Sequence, residues 1–270
     1  VEVFHPHSSD DPVLDEVRLL RSPDRMLTHT GTVVVEGFTL VQRWLHSGRA
    51  LQRLVVTPAQ WTRLEAVAMT AGVDSVAVVE RGVLAAAAGF DVHRGVLGFV
   101  QRPSPPSWSE VLITANTLVV VEGINDAENL GALMRSVWAL GADAVVLDPT
   151  TLDPYGRRVV RVSMGAALEL AVVRAPQWPD ALDEIHHAGF AVVGLTPRAD
   201  GVAWNQWGLP MTQPVAVLVG AEGPGLSAAA LDRVDVAVRV PMRVGVDSLN
   251  VAHAAAIVLA GLDRCRTIRP

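Results

Sequence analysis

Arg135, Glu222 and Asn250 are polar side chains in settings that folding alone explains poorly. Arg135 lies between Met134 and Val137 in the run Asn-Leu-Gly-Ala-Leu-Met-Arg-Ser, residues 129–136, whose other members are mostly apolar or small. Asn129 heads that run, where a helix N-cap would account for it equally well. Glu222 sits inside Gly-Ala-Glu-Gly-Pro-Gly-Leu, residues 220–226, directly after the all-apolar stretch 215–219. Closely spaced glycines let a ligand approach the backbone. The run is nevertheless neither a G-x-G-x-x-G fingerprint nor a Gly-Lys-Ser/Thr phosphate loop. Ser248 and Asn250 close Val-Pro-Met-Arg-Val-Gly-Val-Asp-Ser-Leu-Asn, residues 240–250, with Ser248 placed to cap the helix that follows. Asn250 near the first turn is less well explained by helix propensity. No histidine or cysteine is placed to act as nucleophile or base.

In this order and at these distances, the three runs resemble the signature motifs of the SpoU/TrmH family, RNA methyltransferases of the SPOUT superfamily. Arg-Val-Ser-Met-Gly-Ala-Ala, residues 161–167, resembles the segment between the first two motifs. The resemblance is strong over residues 115–265 and weaker over 10–102. In the weaker part, residues 35–37 (Val-Glu-Gly) and 93–97 (His-Arg-Gly-Val-Leu) resemble an L30e-like substrate-binding domain. Departures are Glu128 at a variable position and Val-Ala-His at 251–253 in place of a small or apolar run.

The resemblance implies transfer of a methyl group from S-adenosylmethionine (SAM) to a ribose 2'-hydroxyl of structured RNA, with rRNA favoured over tRNA. It implies catalytic roles for Arg135, Asn129, Glu222, Ser248 and Asn250. Gly220, Val240 and Leu249, with Val219, Ala221 and Met242, would hold SAM, and no metal is expected. Family accounts make the arginine a base, but a guanidinium holds its proton too tightly for that role. Orienting the nucleotide and stabilising the alkoxide is the safer role for Arg135. The implied fold is α/β, a mostly parallel SPOUT sheet with a carboxyl-terminal trefoil knot. A homodimer is implied too, with Met242, its loop and the last helix near the interface.

Two other function classes are weighed. A non-catalytic RNA-binding protein with a relic fold would not need Asn129, Arg135, Glu222, Ser248 and Asn250 together. A nucleotide-dependent metabolic enzyme has only the glycine-rich run in its favour.

Composition bounds these readings. Half of the residues are hydrophobic and 19% charged, enough to bury a sizeable core. The net charge of −6 is unusual for an RNA binder. All 22 basic residues are arginine, which grips phosphate in a fork and stacks on bases. Arg18, Arg21, Arg25, Arg43, Arg49, Arg53, Arg157 and Arg158 are the candidate RNA contacts. Cys265 is the single cysteine, so no internal disulfide forms and a reducing, cytoplasmic setting is expected. The start of the chain lacks the pattern of a secretory signal, and no apolar run is long enough for a membrane span. His253 is expected as a helix residue, and His186 and His187 as a solvated helix face, without zinc-like partners.

The elements that must position these residues follow from pattern. Prolines 103, 105 and 106 mark a boundary, giving an L30e-like domain over 1–104, a linker over 105–112 and a methyltransferase domain over 113–270. In the first part, Asp11 should cap a helix and Thr57 to Gln60 has the spacing of a capping box. Strands are expected at 32–36, 54–56, 76–79 and 96–100. Beyond the linker, strands at 117–122, 143–148, 190–195, 215–219 and 235–240 alternate with helices at 129–141, 157–168, 178–188 and 248–263. Such alternation implies βαβ units, with ligands beyond the carboxyl ends of the strands, where all three motifs fall.

Overall fold

A computed structural model describes residues 1–22, 31–198, 200–207 and 213–263; Arg25 and Cys265 lie outside them. The chain divides into two compact units, Val1–Pro103 with Asp153–Gly165, and Ser104–Leu152 with Ala166–Pro270.

The first unit holds a five-stranded sheet of β1 (Glu2–Phe4), β2 (Thr32–Glu36), β3 (Leu51–Val56), β4 (Val73–Val78) and β5 (Val96–Gln101), ordered β1-β4-β3-β5-β2. β5 runs antiparallel to β2 and β3, and the other pairs are parallel. Its helices are α1 (Asp15–Arg18), α2 (Phe38–His46), α3 (Pro58–Thr70) and α4 (Arg81–Ala88). The buried cluster of Leu14, Val17, Leu20, Val55, Leu84 and Phe99 joins the amino-terminal turns to the sheet. Asp11 caps as expected, accepting the Val13 N–H at 3.0 Å. Thr57 does not form the expected capping box. Its side chain packs on Gly95, where a Cβ would stand 2.5 Å from Thr57 Cγ2.

Several arginines expected to face RNA also brace this unit. Arg18 donates to the Ser9 and Asp11 carbonyls at 2.8 and 2.9 Å, and Arg21 to the Ala87 carbonyl at 2.9 Å. Arg53 donates to the Val13 carbonyl at 3.0 Å. Residues 153–165, expected in the second domain, cluster with the first unit and carry the helix Arg157–Val162. Arg157 on that helix pairs with Glu36, a carboxylate 1% exposed, and lies 4.2 Å over the Phe90 ring. A carboxylate that is buried needs such a partner.

The second unit opens with α5 (Trp108–Thr114), which occupies part of the stretch expected as linker. Ser107 Oγ accepts the Glu110 N–H, so the helix starts as soon as the prolines end. The sheet is seven-stranded and parallel in every pairing, in the order β10-β12-β9-β11-β6-β7-β8. These strands are β6 (Thr117–Glu122), β7 (Ala144–Leu147), β8 (Ala171–Arg174), β9 (Ala191–Leu195), β10 (Val202–Ala203), β11 (Val215–Gly220) and β12 (Val236–Arg239). With them come α6 (Ala127–Ala139), the first unit's α7 (Arg157–Val162), α8 (Ala181–His187), α9 (Ala228–Leu231) and α10 (Val251–Asp263). A parallel sheet covered on both faces calls for unbroken apolar strands. β6 and β11 answer with valine, leucine and alanine runs buried throughout. Leu118, Val120, Ala216 and Leu218 pack with Leu182, Ile185 and Ala230 on one face. Pleating sends Val119, Val121, Val217 and Val219 to the opposite face. α10 packs on α6 and β11. His186 Nε2 lies 3.0 Å from Asp235, and His253 is exposed on α10.

Candidate active site

The carboxyl end of β6 runs into a tight loop. Gly123, at φ +71°, takes a backbone conformation that side chains resist. Asp148, 2% exposed after β7, holds this loop: its carboxylate accepts the Gly123 N–H at 3.1 Å and the Thr151 N–H at 2.8 Å. Both the Thr150 and Thr151 hydroxyls donate to it as well. Burial pushes the Asp148 carboxyl up, but the Thr150, Thr151 and Gly123 hydrogen bonds outweigh it and leave the group below its ordinary value. Thr151 Oγ1 in turn accepts the Ile124 N–H at 3.3 Å. The Arg174 guanidinium closes the arrangement by donating to the Asp148 and Thr151 carbonyls.

Helix α6 follows, and its cap is Asp126 rather than Asn129. Asp126 Oδ1 accepts the Asn129 N–H at 2.9 Å, and the helix begins two residues earlier than the sequence pattern suggests. Of two cap-competent residues one turn apart, the earlier is used. The Asn129 side chain is thereby left for another partner.

β6 and β11 are paired so that Glu122 stands opposite Gly220. After Gly220 the chain doubles back, and Gly225 N–H reaches the Ala221 carbonyl at 3.0 Å. A Cβ at Gly220 would lie 2.4 Å from the Gly225 carbonyl carbon, so the turn demands glycine there. The glycine-rich run thus folds a tight backbone cradle at the end of a central strand and presents Glu222 from its rim.

The third run brings the motifs together. Asn250, not Ser248, caps α10, its Oδ1 accepting the Ala252 N–H at 3.0 Å. That bond orients the amide so that Nδ2 faces away from the helix. Nδ2 donates to Asn129 Oδ1 at 2.7 Å and to Glu222 Oε1 at 3.0 Å. One amide therefore links residues from all three sequence runs.

Beside this junction opens a cavity of about 630 Å³. Val219, Gly220, Ala221, Glu222, Val240, Met242, Ser248, Leu249 and Asn250, all expected at the site, line it. Leu195, Thr196, Pro197 and Asp247 also line it and were not anticipated. Their signal was positional: residues 195–197 end β9, the strand beside β11, and such ends are where ligands gather. Arg135 is not drawn into the hydrogen-bonded junction. It is exposed on α6 and makes no hydrogen bond or ion pair among the described residues. Ser248 likewise meets no hydrogen-bonding partner there. Among the described residues no group of three or more His, Cys, Asp or Glu could hold a metal ion, and no helix is long and apolar enough to cross a membrane.

The chain is similar to known proteins. Residues 116–260 match the SpoU rRNA Methylase family. An uncharacterized tRNA/rRNA methyltransferase of Mycobacterium bovis is 41% identical over 262 residues, covering 96% of this chain and 90% of that protein. The 23S rRNA (guanosine(2553)-2'-O)-methyltransferase RlmP of Bacillus subtilis is 30% identical over 232 residues, 86% of this chain and 88% of its own. Among solved structures, an AdoMet-bound rRNA methyltransferase from Sinorhizobium meliloti superposes with a TM-score of 0.80 at 25% identity, over 97% of this chain and 98% of the other. The shared sequence spans the β6 loop, the glycine-rich cradle and the Asn250 junction alike, and the chain belongs to the SpoU rRNA methylase family.

Proposed function

We propose that this protein transfers a methyl group from SAM to a ribose 2'-hydroxyl of ribosomal RNA, in the cytoplasm and as a homodimer. The observation that carries the reading is the Asn250 amide, which joins Asn129 and Glu222 at the mouth of the cavity. Ribosomal RNA is preferred because the Bacillus subtilis relative is named for 23S rRNA.

The cavity fits SAM in size and chemistry. Its volume lies in the ordinary small-ligand range. Gly220, Gly223 and Gly225 present backbone to the cavity, and Leu195, Val219, Val240 and Leu249 offer apolar walls. The carboxylates of Glu222 and Asp247 suit a cationic ligand. When bound, SAM supplies an activated methyl on a sulfonium leaving group. Gly220, Ala221, Val219, Val240, Met242 and Leu249 hold it and exclude water. Asn250 fixes Asn129 and Glu222, and Ser248 offers a hydroxyl at the same rim. Arg135, which makes no hydrogen bond or ion pair among the described residues, binds the RNA phosphate and stabilises negative charge on the ribose oxygen. The 2'-hydroxyl proton leaves to a phosphate oxygen held by Arg135.

The first unit, with an L30e-like assignment for residues 1–104, serves as the RNA-gripping part. The carboxyl-terminal segment forms the knot, an assignment supported by the cavity lining, in which residues 195–197 after β9 stand with residues 240–250 after β12. The dimer is supported by the loop after β12, where Val244 is fully exposed and Val246 and Leu249 are partly so.

Labelled SAM offered with unmodified rRNA and tRNA tests the reading, comparing the native chain with Arg135→Ala. The expected result is label in rRNA at one alkali-resistant ribose. The variant loses about 100-fold or more in rate while SAM affinity holds. SAM binding without transfer to any RNA would overturn the catalytic assignment in favour of a binding protein.

A further inference from the structure

Glu122 is a buried carboxylate, 9% exposed, that the reaction above does not use. It is the last residue of β6 and stands opposite Gly220 in the ladder, so the glycine-rich run begins at this rung and the loop leading to the first run leaves from it. Its oxygens accept three hydrogen bonds. Oε1 takes the Trp178 indole N–H at 2.8 Å and the Ser227 hydroxyl at 2.7 Å, and Oε2 takes the Ser227 backbone N–H at 2.9 Å. Ser227 follows the glycine-rich run and caps α9 through the Ala230 N–H. The loop 221–226 is therefore anchored at one end by the β6–β11 ladder and at the other by Glu122.

We propose that Glu122 is a positioning residue for the SAM cradle, setting the path of the Gly220–Gly225 loop through its carboxylate bonds to Ser227 and Trp178. The proposal rests on the reading of the cavity as a SAM site. A plain structural carboxylate could sit anywhere in the core. This one lies on the rung from which the cradle springs, and two of its three bonds go to the residue where the cradle ends.

The anion matters because every partner donates. Glutamine has one acceptor oxygen and one donor NH2. With the oxygen toward Trp178, the NH2 faces the Ser227 N–H, donor against donor. With the amide turned round, Ser227 N–H is satisfied and the NH2 donates to Ser227 Oγ, but the conflict moves to the Trp178 N–H. Removing that N–H removes the conflict, so Trp178→Phe should rescue Glu122→Gln. A merely structural role predicts no such pairing, since each change alone would weaken the core and together they would weaken it more.

The test is SAM affinity of the full chain by titration calorimetry, with urea midpoints recorded alongside. Glu122→Gln is expected to weaken SAM binding about ten-fold, the scale of one unsatisfied buried donor. Trp178→Phe alone should change it less than three-fold, and the double variant should recover most of the loss. Val119→Ala, a core truncation in the same strand, should lower the midpoint and leave affinity near native. Native-like affinity in Glu122→Gln, or additive losses in the double variant, would overturn the positioning role. Absence of SAM binding by the native chain would instead overturn the proposed function.

Discussion

The loop after β6 and the loop after β12 both deliver residues to the same junction, yet they are built in opposite ways. The first is clamped: Asp148 and Thr151 satisfy its backbone groups from beneath, Arg174 holds the carbonyls of those two residues, and the carboxylate at the centre is 2% exposed. The second, residues 241–249, makes one hydrogen bond among the described residues, from the Val246 N–H to the Arg243 carbonyl at 3.1 Å. It carries Val244 and Val246 into solvent. A loop held from within can preorganise a site by itself. A loop with an exposed apolar surface and little internal bonding gains its order from something that covers it. The two loops thus differ as a wall held from within and a loop whose apolar side chains stand in solvent.

If that contrast is right, the largest loss should come from the clamp. Asp148→Asn replaces an acceptor ringed by four donors, and the expected cost is about 3 kcal/mol in unfolding free energy, read from urea titration. The pH dependence follows from the direction of its shift. A carboxyl whose folded value is depressed stabilises fully above its ordinary value, about pH 4, and loses that contribution as pH falls through the lower folded value. The native chain should lose stability below about pH 4, and the variant should lose less over the same interval. Identical acid slopes would remove Asp148 as the cause.

The glycine-rich cradle should come next. In Gly220→Ala the new Cβ meets the Gly225 backbone at 2.4 Å, and backbone cannot swing aside as a side chain can. About 2 kcal/mol of stability should be lost, with a larger proportional loss in SAM affinity, because the loop must move to admit the methyl group. Stability loss with full affinity would show that the cavity does not depend on the path of this loop.

How much of this could be read beforehand depended on the kind of signal. β6 and β11 were legible because buried parallel strands are continuous apolar runs, and the expected 117–122 is the strand observed. The edge strands β1 and β8 were not: they are three and four residues long and offer too little pattern. Asn129 and Asn250 stood out by residue type, but their roles turned on which neighbour capped the helix. Asp126 taking the cap frees Asn129, whereas Asn250 serves both as cap and as bridge. Charge misled most. Arg18, Arg21 and Arg53 look like RNA contacts in a list of arginines. Only the fold reveals that backbone carbonyls sequences apart need their donors. Glu122 was invisible for the related reason that a carboxylate's importance lies in partners distant in the chain.

The smallest effect on folding should come from the exposed loop, and there it is the contrast itself that is tested. Val244 is fully exposed, so Val244→Asp should leave the stability of the isolated chain within about 0.5 kcal/mol of native. If a second copy covers this loop, the charge must be buried unpaired in the interface. The mass in solution should then fall from a dimer toward the 28.7 kDa monomer. Light scattering across a concentration series reads this directly. A native chain that is already monomeric would remove the homodimer, and the loop's apolar face would then belong to RNA or ligand. A dimer that tolerates the aspartate would place the interface elsewhere, leaving residues 241–249 to close over the cavity. Either result keeps the clamped loop as the fixed wall of the site, because Asp148 and its partners owe nothing to a second chain.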